Sequence, residues 1–219
     1  MVFGDTCYLC GKGDDLTRDH IPPQGMFPGP RPGNLITVPC CKTCNSTFSM
    51  DDELFRAWAS SGAQCSAAGK QIWRGKVVPS FATRNKKLRQ QMRQDVGTAA
   101  LETLIGRAKV PIIGIPVSRA KPFIVRITKG LLHHFYPDYN YTDIHFTVVN
   151  VAPTPQYQTA IKYLLPHLIY DERGEGVFRF WRGFTVDAPD VGVWIYLFYD
   201  AACFLVRHGR VAFAEQRRQ

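Results

Sequence analysis

A chain of 219 residues, 45% apolar and 21% charged, is long enough to bury a sizeable core and has the composition of a globular protein. No apolar run reaches the roughly 20 residues needed to span a bilayer, and the start MVFGDTCYLC lacks a basic stretch leading into an apolar one. Neither a membrane nor a secreted protein is therefore expected, and the cytoplasm is the default location.

The formal net charge of +9 is concentrated in the middle of the chain. Residues 61–130 hold fourteen Lys or Arg against two Asp or Glu, while residues 1–60 hold five against seven and residues 131–219 eight against nine. A basic middle third points to a polyanionic partner, with a plain solvated basic face as the alternative.

Taken in chain order, residues 1–62 are rich in Cys, Pro, Gly and Asp and would form only a thin core from side chains alone. Five of the seven cysteines fall within the first 44 residues, and an odd count in a cytoplasmic chain argues against a disulfide framework. Cys7-x-x-Cys10 and Cys41-x-x-Cys44 are two knuckle-type pairs, each able to give two thiolates to one tetrahedral Zn²⁺. Cys40 adjoins Cys41; spacing to Cys44 selects Cys41, and Cys40 stays open as a substitute ligand. The stretch PPQGMFPGPRPGN, 22–34, must be a loop, because neither helix nor strand tolerates its density of Pro and Gly. Residues 49–62 read as a helix, with Ser49 and Asp52 resembling a capping arrangement.

Residues 63–116 form a basic connecting segment. Within it 83–108 has helical composition, with Leu88, Met92 and Val96 on one face. Lys70, Arg74, Lys76, Arg84, Lys86, Lys87, Arg89 and Arg93 are its candidate contacts to nucleic-acid phosphates. Residues 117–219 read as an α+β unit. A helix is expected from about Pro122, carrying Phe123, Ile127, Leu131 and Phe135 every four residues, and another over 154–169. The aromatic and β-branched runs 143–151, 176–184, 192–200 and 202–210 read as strands of an antiparallel sheet. Its apolar strands leave open a homodimer or a protein partner on this unit.

Between the two cysteine pairs lies LTRDHIPP, and after the loop NLITVPCCKTCNSTF. Taken singly, Asp19, Asn34 and Asn45 read as turn or cap residues. Together, CYLC…LTRDHIPP…NLITVPCCKTCNSTF resembles the zinc-bearing HNH endonucleases over roughly residues 5–58, with Asn45 where many members carry a third His. The resemblance implies a ββα-metal finger, two antiparallel strands followed by a helix. It implies His20 as general base, Asp19 and Asn45 as holders of one divalent ion, Mg²⁺ or Mn²⁺, and Asn34 as the residue that holds the loop and orients the base. DNA is the implied substrate, with RNA open.

The residue chemistry agrees with those roles. Phosphodiester hydrolysis needs an activated water and neutralisation of charge growing on the phosphate. An imidazole titrates near neutral pH, and Asp and Asn offer the hard oxygens that Mg²⁺ or Mn²⁺ prefers. Adjacent strand residues point to opposite faces, so Asp19 and His20 could share a site only near a strand end. The competing expectation is a zinc-organised nucleic-acid-binding module without catalysis.

Overall fold

The computed structural model describes residues 6–83, 86–103, 106–114, 116–141, 143–151 and 155–210. It is a mixed helix and sheet protein in which every strand pairing is antiparallel.

The first sheet is a pair, β1 (Leu16–Ile21) with β2 (Ile36–Cys41), in register from Leu16 opposite Cys41 to Ile21 opposite Ile36. The alternation of strand side chains puts Thr17, Asp19 and Ile21 on one face with Cys40, Val38 and Ile36. That face is turned inward: Ile21, Ile36, Val38 and Cys40 are buried. The Pro- and Gly-rich stretch is the loop expected, interrupted by a 3₁₀ turn at Gln24–Met26. β2 runs straight into α1 (Lys42–Thr47), and α2 (Ser49–Ser60) follows. The predicted Ser49–Asp52 capping arrangement is not formed, since the N-cap of α2 is Phe48 and makes no side-chain cap bond. Asp52 turns instead to an arginine far along the chain.

A helical run comprises α3 (Ala67–Ile72), a π turn (Trp73–Val77) and α4 (Val78–Thr83), and α5 (Lys86–Gln94) follows. Leu88 and Met92 are buried, as their spacing requires. The long helix expected over 83–108 ends at Gln94. Beyond it β3 (Val96–Thr103) and β4 (Gly106–Ile113) pair as a hairpin. Continuing the helix would have placed Gly97 in its interior, at a cost of about 1 kcal/mol, whereas Val110, Ile112 and Ile113 favour a strand.

The central helix α6 (Val117–Phe135) starts five residues earlier than expected, so Pro122 sits in its second turn rather than its first. The missing N–H there forgoes a bond to the carbonyl of Ser118, in the exposed opening turn. The stripe Phe123, Ile127 and Leu131 is fully buried. Beyond it, β5 (Ile144–Asn150), β6 (Ile169–Arg173), β7 (Phe178–Thr185), β8 (Ala188–Phe198) and β9 (Ala202–Arg210) form a five-stranded sheet in the order β5-β9-β8-β7-β6. α7 (Pro155–Leu164) gives way to a 3₁₀ turn at Leu165–His167, short of the expected end at 169. Pro166 disfavours helix for the residue before it, and β6 occupies the next stretch.

α6 lies between the N-terminal hairpin and the sheet. On one side the side chain of Ile21 fills the space where a Cβ on Gly130 would be, 2.6 Å away. On the other, Tyr196 donates to Thr128 at 2.9 Å in the buried interior. Phe55 of α2 stacks on Phe123 of α6 at 3.9 Å and meets Phe198 of β8 edge-on at 4.9 Å. Each such pair contributes about 0.5–1.5 kcal/mol beyond its buried area. The N-terminal helix, α6 and the sheet thus share one core. Among the described residues no helix is long and apolar enough to cross a membrane.

Candidate functional site

The cysteine pairs converge. The first sits in a tight turn closed by Cys7 N–H to Lys12 O at 2.7 Å and Gly11 N–H to Cys7 O at 2.8 Å, with Gly11 at φ +73°, where a side chain would be strained. Tyr8 N–H donates to Pro39 O at 3.0 Å and ties this turn to β2. The second pair spans the β2–α1 junction, where Cys41 caps α1 by accepting the Cys44 N–H at Sγ, 3.5 Å away. The sulfurs of Cys7, Cys10, Cys41 and Cys44 lie within 4.8 Å of one another, and those of Cys10 and Cys41 are 3.7 Å apart. A tetrahedral zinc with Zn–S near 2.3 Å sets its sulfurs about 3.8 Å apart, so the four cysteines fit a metal such as zinc.

Burial works against the Cys7 thiolate, but backbone N–H groups of Cys41, Cys10 and Leu9 outweigh it and bring its pKa down to about 6. Cys40 differs from its neighbour. It is fully buried on the inward face, 3.9 Å from the Cys7 sulfur but outside the group of four. Burial, with Cys7 and Asp19 adding to it, drives its thiol well above the ordinary range.

Asp19 is 6% exposed and accepts a 2.7 Å hydrogen bond from the Tyr8 hydroxyl at Oδ2. Burial first, then the Asp19 charge, keeps that phenol protonated and therefore a donor. Asn45, in α1, donates through Nδ2 to Thr17 Oγ1 at 3.0 Å, and Thr17 in turn donates to Cys40 O at 2.8 Å. This brings Asn45 to the face of β1 that bears Asp19. The hydrogen bonds described engage Asp19 at Oδ2 and Asn45 at Nδ2, and the Oδ1 atom of each is a hard oxygen of the kind suited to Mg²⁺ or Mn²⁺.

His20 points to the other face, one residue from the strand end. Its Nε2 lies 2.7 Å from Gln24 Nε2, while Arg31 donates to Gln24 Oε1 at 3.2 Å. The arginine fixes which way the amide faces, so Gln24 donates and His20 Nε2 accepts, with the ring proton on Nδ1. Burial, assisted by the Arg31 charge against that of Asp19, holds the imidazole below its usual pKa. Asn34 is exposed in the turn before β2, and the side chain that engages His20 is Gln24.

Sequence reasoning missed the partners behind these residues. Arg126 of α6, 2% exposed, forms an ion pair with Asp52 and lies over the Phe48 ring at 4.8 Å. Burial raises the Asp52 pKa to about 6, against the pull of Arg126 and with a push from Asp19. Tyr8, Asp19, Asp52 and Arg126 therefore act on one another as a polar layer between the hairpin and α6. Asp52 and Arg126 are 74 residues apart in sequence, and no local pattern links them. Tyr8 alone had a signal, as a phenol inside a cysteine knuckle.

Of the basic candidates, Lys70, Arg74, Lys86, Arg89 and Arg93 are exposed and Lys76 is half-buried. Arg84 and the Lys87 side chain lie outside the described residues. Compared with known proteins, the chain matches no protein family, no curated protein and no solved structure.

Proposed function

We propose that the protein is a metal-dependent endonuclease of the HNH type, built on a zinc-stabilised ββα-metal finger and hydrolysing phosphodiester bonds in DNA. One observation carries the proposal: an antiparallel strand pair running directly into a helix, with Asp19 and His20 on opposite faces near the end of the first strand, Asn45 in the helix on the Asp19 side and a four-cysteine cluster in the turn before the strand and at the strand–helix junction.

His20 takes the proton of the attacking water. Burial favours its neutral form, and its Nε2 lone pair becomes free for water once the Gln24 amide lets go. Asp19 Oδ1 and Asn45 Oδ1 would hold Mg²⁺ or Mn²⁺, which when bound neutralises charge on the phosphate and on the leaving oxygen. Tyr8 fixes the Asp19 carboxylate through Oδ2, and Thr17 fixes the Asn45 amide through Nδ2, so both oxygens are held ready. The exposed cations of residues 70–93 grip flanking phosphates without reading sequence.

The test is cleavage of supercoiled plasmid with Mg²⁺ or Mn²⁺, with and without chelator, by the natural chain and by His20→Ala. The expected result is nicking or linearisation that chelator abolishes and that His20→Ala slows by about 10²–10⁴-fold. Full activity in His20→Ala would refute the assignment. A second reading, a zinc-dependent nucleic-acid-binding module without catalysis, is favoured by the engagement of His20 Nε2 with Gln24. Retained DNA binding with no cleavage under any metal condition would select it.

A further inference from the structure

We infer that Arg31, Arg56 and Lys76 form a binding site for a backbone phosphate of the nucleic acid, next to His20, and this inference rests on the nuclease reading above. The three cations come from separate elements, the proline-rich loop, α2 and the π turn, and meet at one short segment of chain. Lys76 Nζ donates to Gly25 O at 3.2 Å and Phe27 O at 2.9 Å. The guanidinium of Arg56 lies against the bare face of Gly25, where an added Cβ would stand 2.6 Å from Nη1. Arg31 donates to Gln24, the residue before Gly25, and Gln24 contacts His20.

None of the three has an anion of its own. Among the described residues none of them forms an ion pair, and Arg56 Nε is buried without a hydrogen-bond partner. Asp52, one turn earlier on α2, senses the charge of Arg56 but bonds to Arg126. The mutual repulsion is felt: burial first, then the charges of Arg56 and Arg31, pushes the Lys76 amine below its usual pKa. Three like charges assembled around carbonyls form a concentrated positive potential that an anion relieves. Two of them are guanidinium forks, whose geometry suits phosphate oxygens. The segment they surround begins at Gln24, whose amide contacts the proposed base, so the phosphate they would hold neighbours the scissile one on the same strand.

The test uses the full chain carrying His20→Ala, which stalls cleavage. Binding to a short labelled DNA duplex, and to single strands of DNA and RNA, is followed as salt is raised from about 0.05 to about 0.3 M. Adding Arg31→Gln, an exposed change, should flatten the log–log salt slope on duplex by about 0.9 and weaken binding roughly eightfold near 0.1 M salt. Gly25→Ala, which displaces the Arg56 guanidinium without removing its charge, should weaken binding in the same direction. An unchanged slope and affinity in both variants overturns the site, as does failure of the His20→Ala parent to hold any of the three polymers. Plasmid cleavage by the natural chain, measured alongside, separates the two claims. Cleavage with unaltered binding in both variants removes the phosphate site alone, and weakened binding in a chain that never cleaves removes the nuclease reading alone.

Discussion

Replacing Cys41 and Cys40 separately should give opposite results, although the two are neighbours in one strand. Cys41 ends β2 with its sulfur among the group of four, 3.7 Å from that of Cys10, while Cys40 is buried on the other face. A structural tetrathiolate zinc is worth roughly 10–16 kcal/mol at neutral pH, so one ligand in four accounts for about 3–4 kcal/mol, or about 10²–10³ in zinc affinity. Cys41→Ala also removes the sulfur that caps α1, at about 1 kcal/mol. Cys40→Ala removes one buried sulfur atom, costs about 1 kcal/mol as a small cavity, and leaves the four donors in place. The assay is the zinc content of the purified variants, followed by competition with a graded series of chelators. Cys40→Ala should retain one zinc per chain and release it at the same chelator strength as the natural protein, whereas Cys41→Ala should give it up to a much weaker chelator. Zinc retained in Cys41→Ala but lost in Cys40→Ala would refute the assignment, and a natural chain without zinc would refute the metal centre itself.

His208 should make the fold sensitive to mild acid. Burial lowers its pKa to about 4 from an ordinary 6.5, and its Nε2 is buried without a partner, directly over Gly192. The unfolded chain takes the proton first, so this contribution is complete above about pH 6.5 and up to about 3 kcal/mol is lost as pH falls toward about 4. Urea midpoints measured across that window should fall more steeply for the natural chain than for His208→Gln, and parallel curves would disprove the assignment. Arg126→Met should destabilise the protein by about 3–5 kcal/mol, because it strands Asp52 in a half-buried site that also senses Asp19. Adding Asp52→Leu should recover most of that loss in a denaturation double-mutant cycle, and additive losses would show that the pair is not coupled.

The features that could be read in the sequence were those whose signal is local. Two cysteine knuckles announce themselves by spacing, and the four sulfurs do lie together. The α6 stripe at Phe123, Ile127 and Leu131 and the aromatic runs of β7, β8 and β9 follow from periodicity and residue type. The 96–113 hairpin was hidden because Ala, Leu and Glu over 99–102 favour a helix, and only pairing with β4 makes a strand of them. β6 was missed because only Ile169 falls in the stretch read as helical and the Asp-Glu-Arg run that completes it, 171–173, carries no strand signal. In the candidate site, Asp19, His20 and Asn45 could be singled out from the sequence, but the residues they contact could not. Gln24, Asp52 and Arg126 are ordinary polar residues until folding sets them against His20 and one another.

Those partners bear on what the cysteine cluster does for the candidate catalytic residues. Tyr8 lies between Cys7 and Cys10, its N–H bonded to β2 through Pro39 and its hydroxyl bonded to Asp19 on β1. A metal that locks the knuckle therefore also locks the donor that orients Asp19. On the same face, Arg126 anchors Asp52, and the close approach of Gly130 to Ile21 brings α6 against β1 one residue beyond His20 in the chain. A strand pair this short, six residues on each side, would not hold a reactive geometry unaided. The cysteine turn and α6 both hold it on the face that bears Asp19 and Ile21, the turn through Tyr8 and Asp19 and the helix through Gly130 and Ile21.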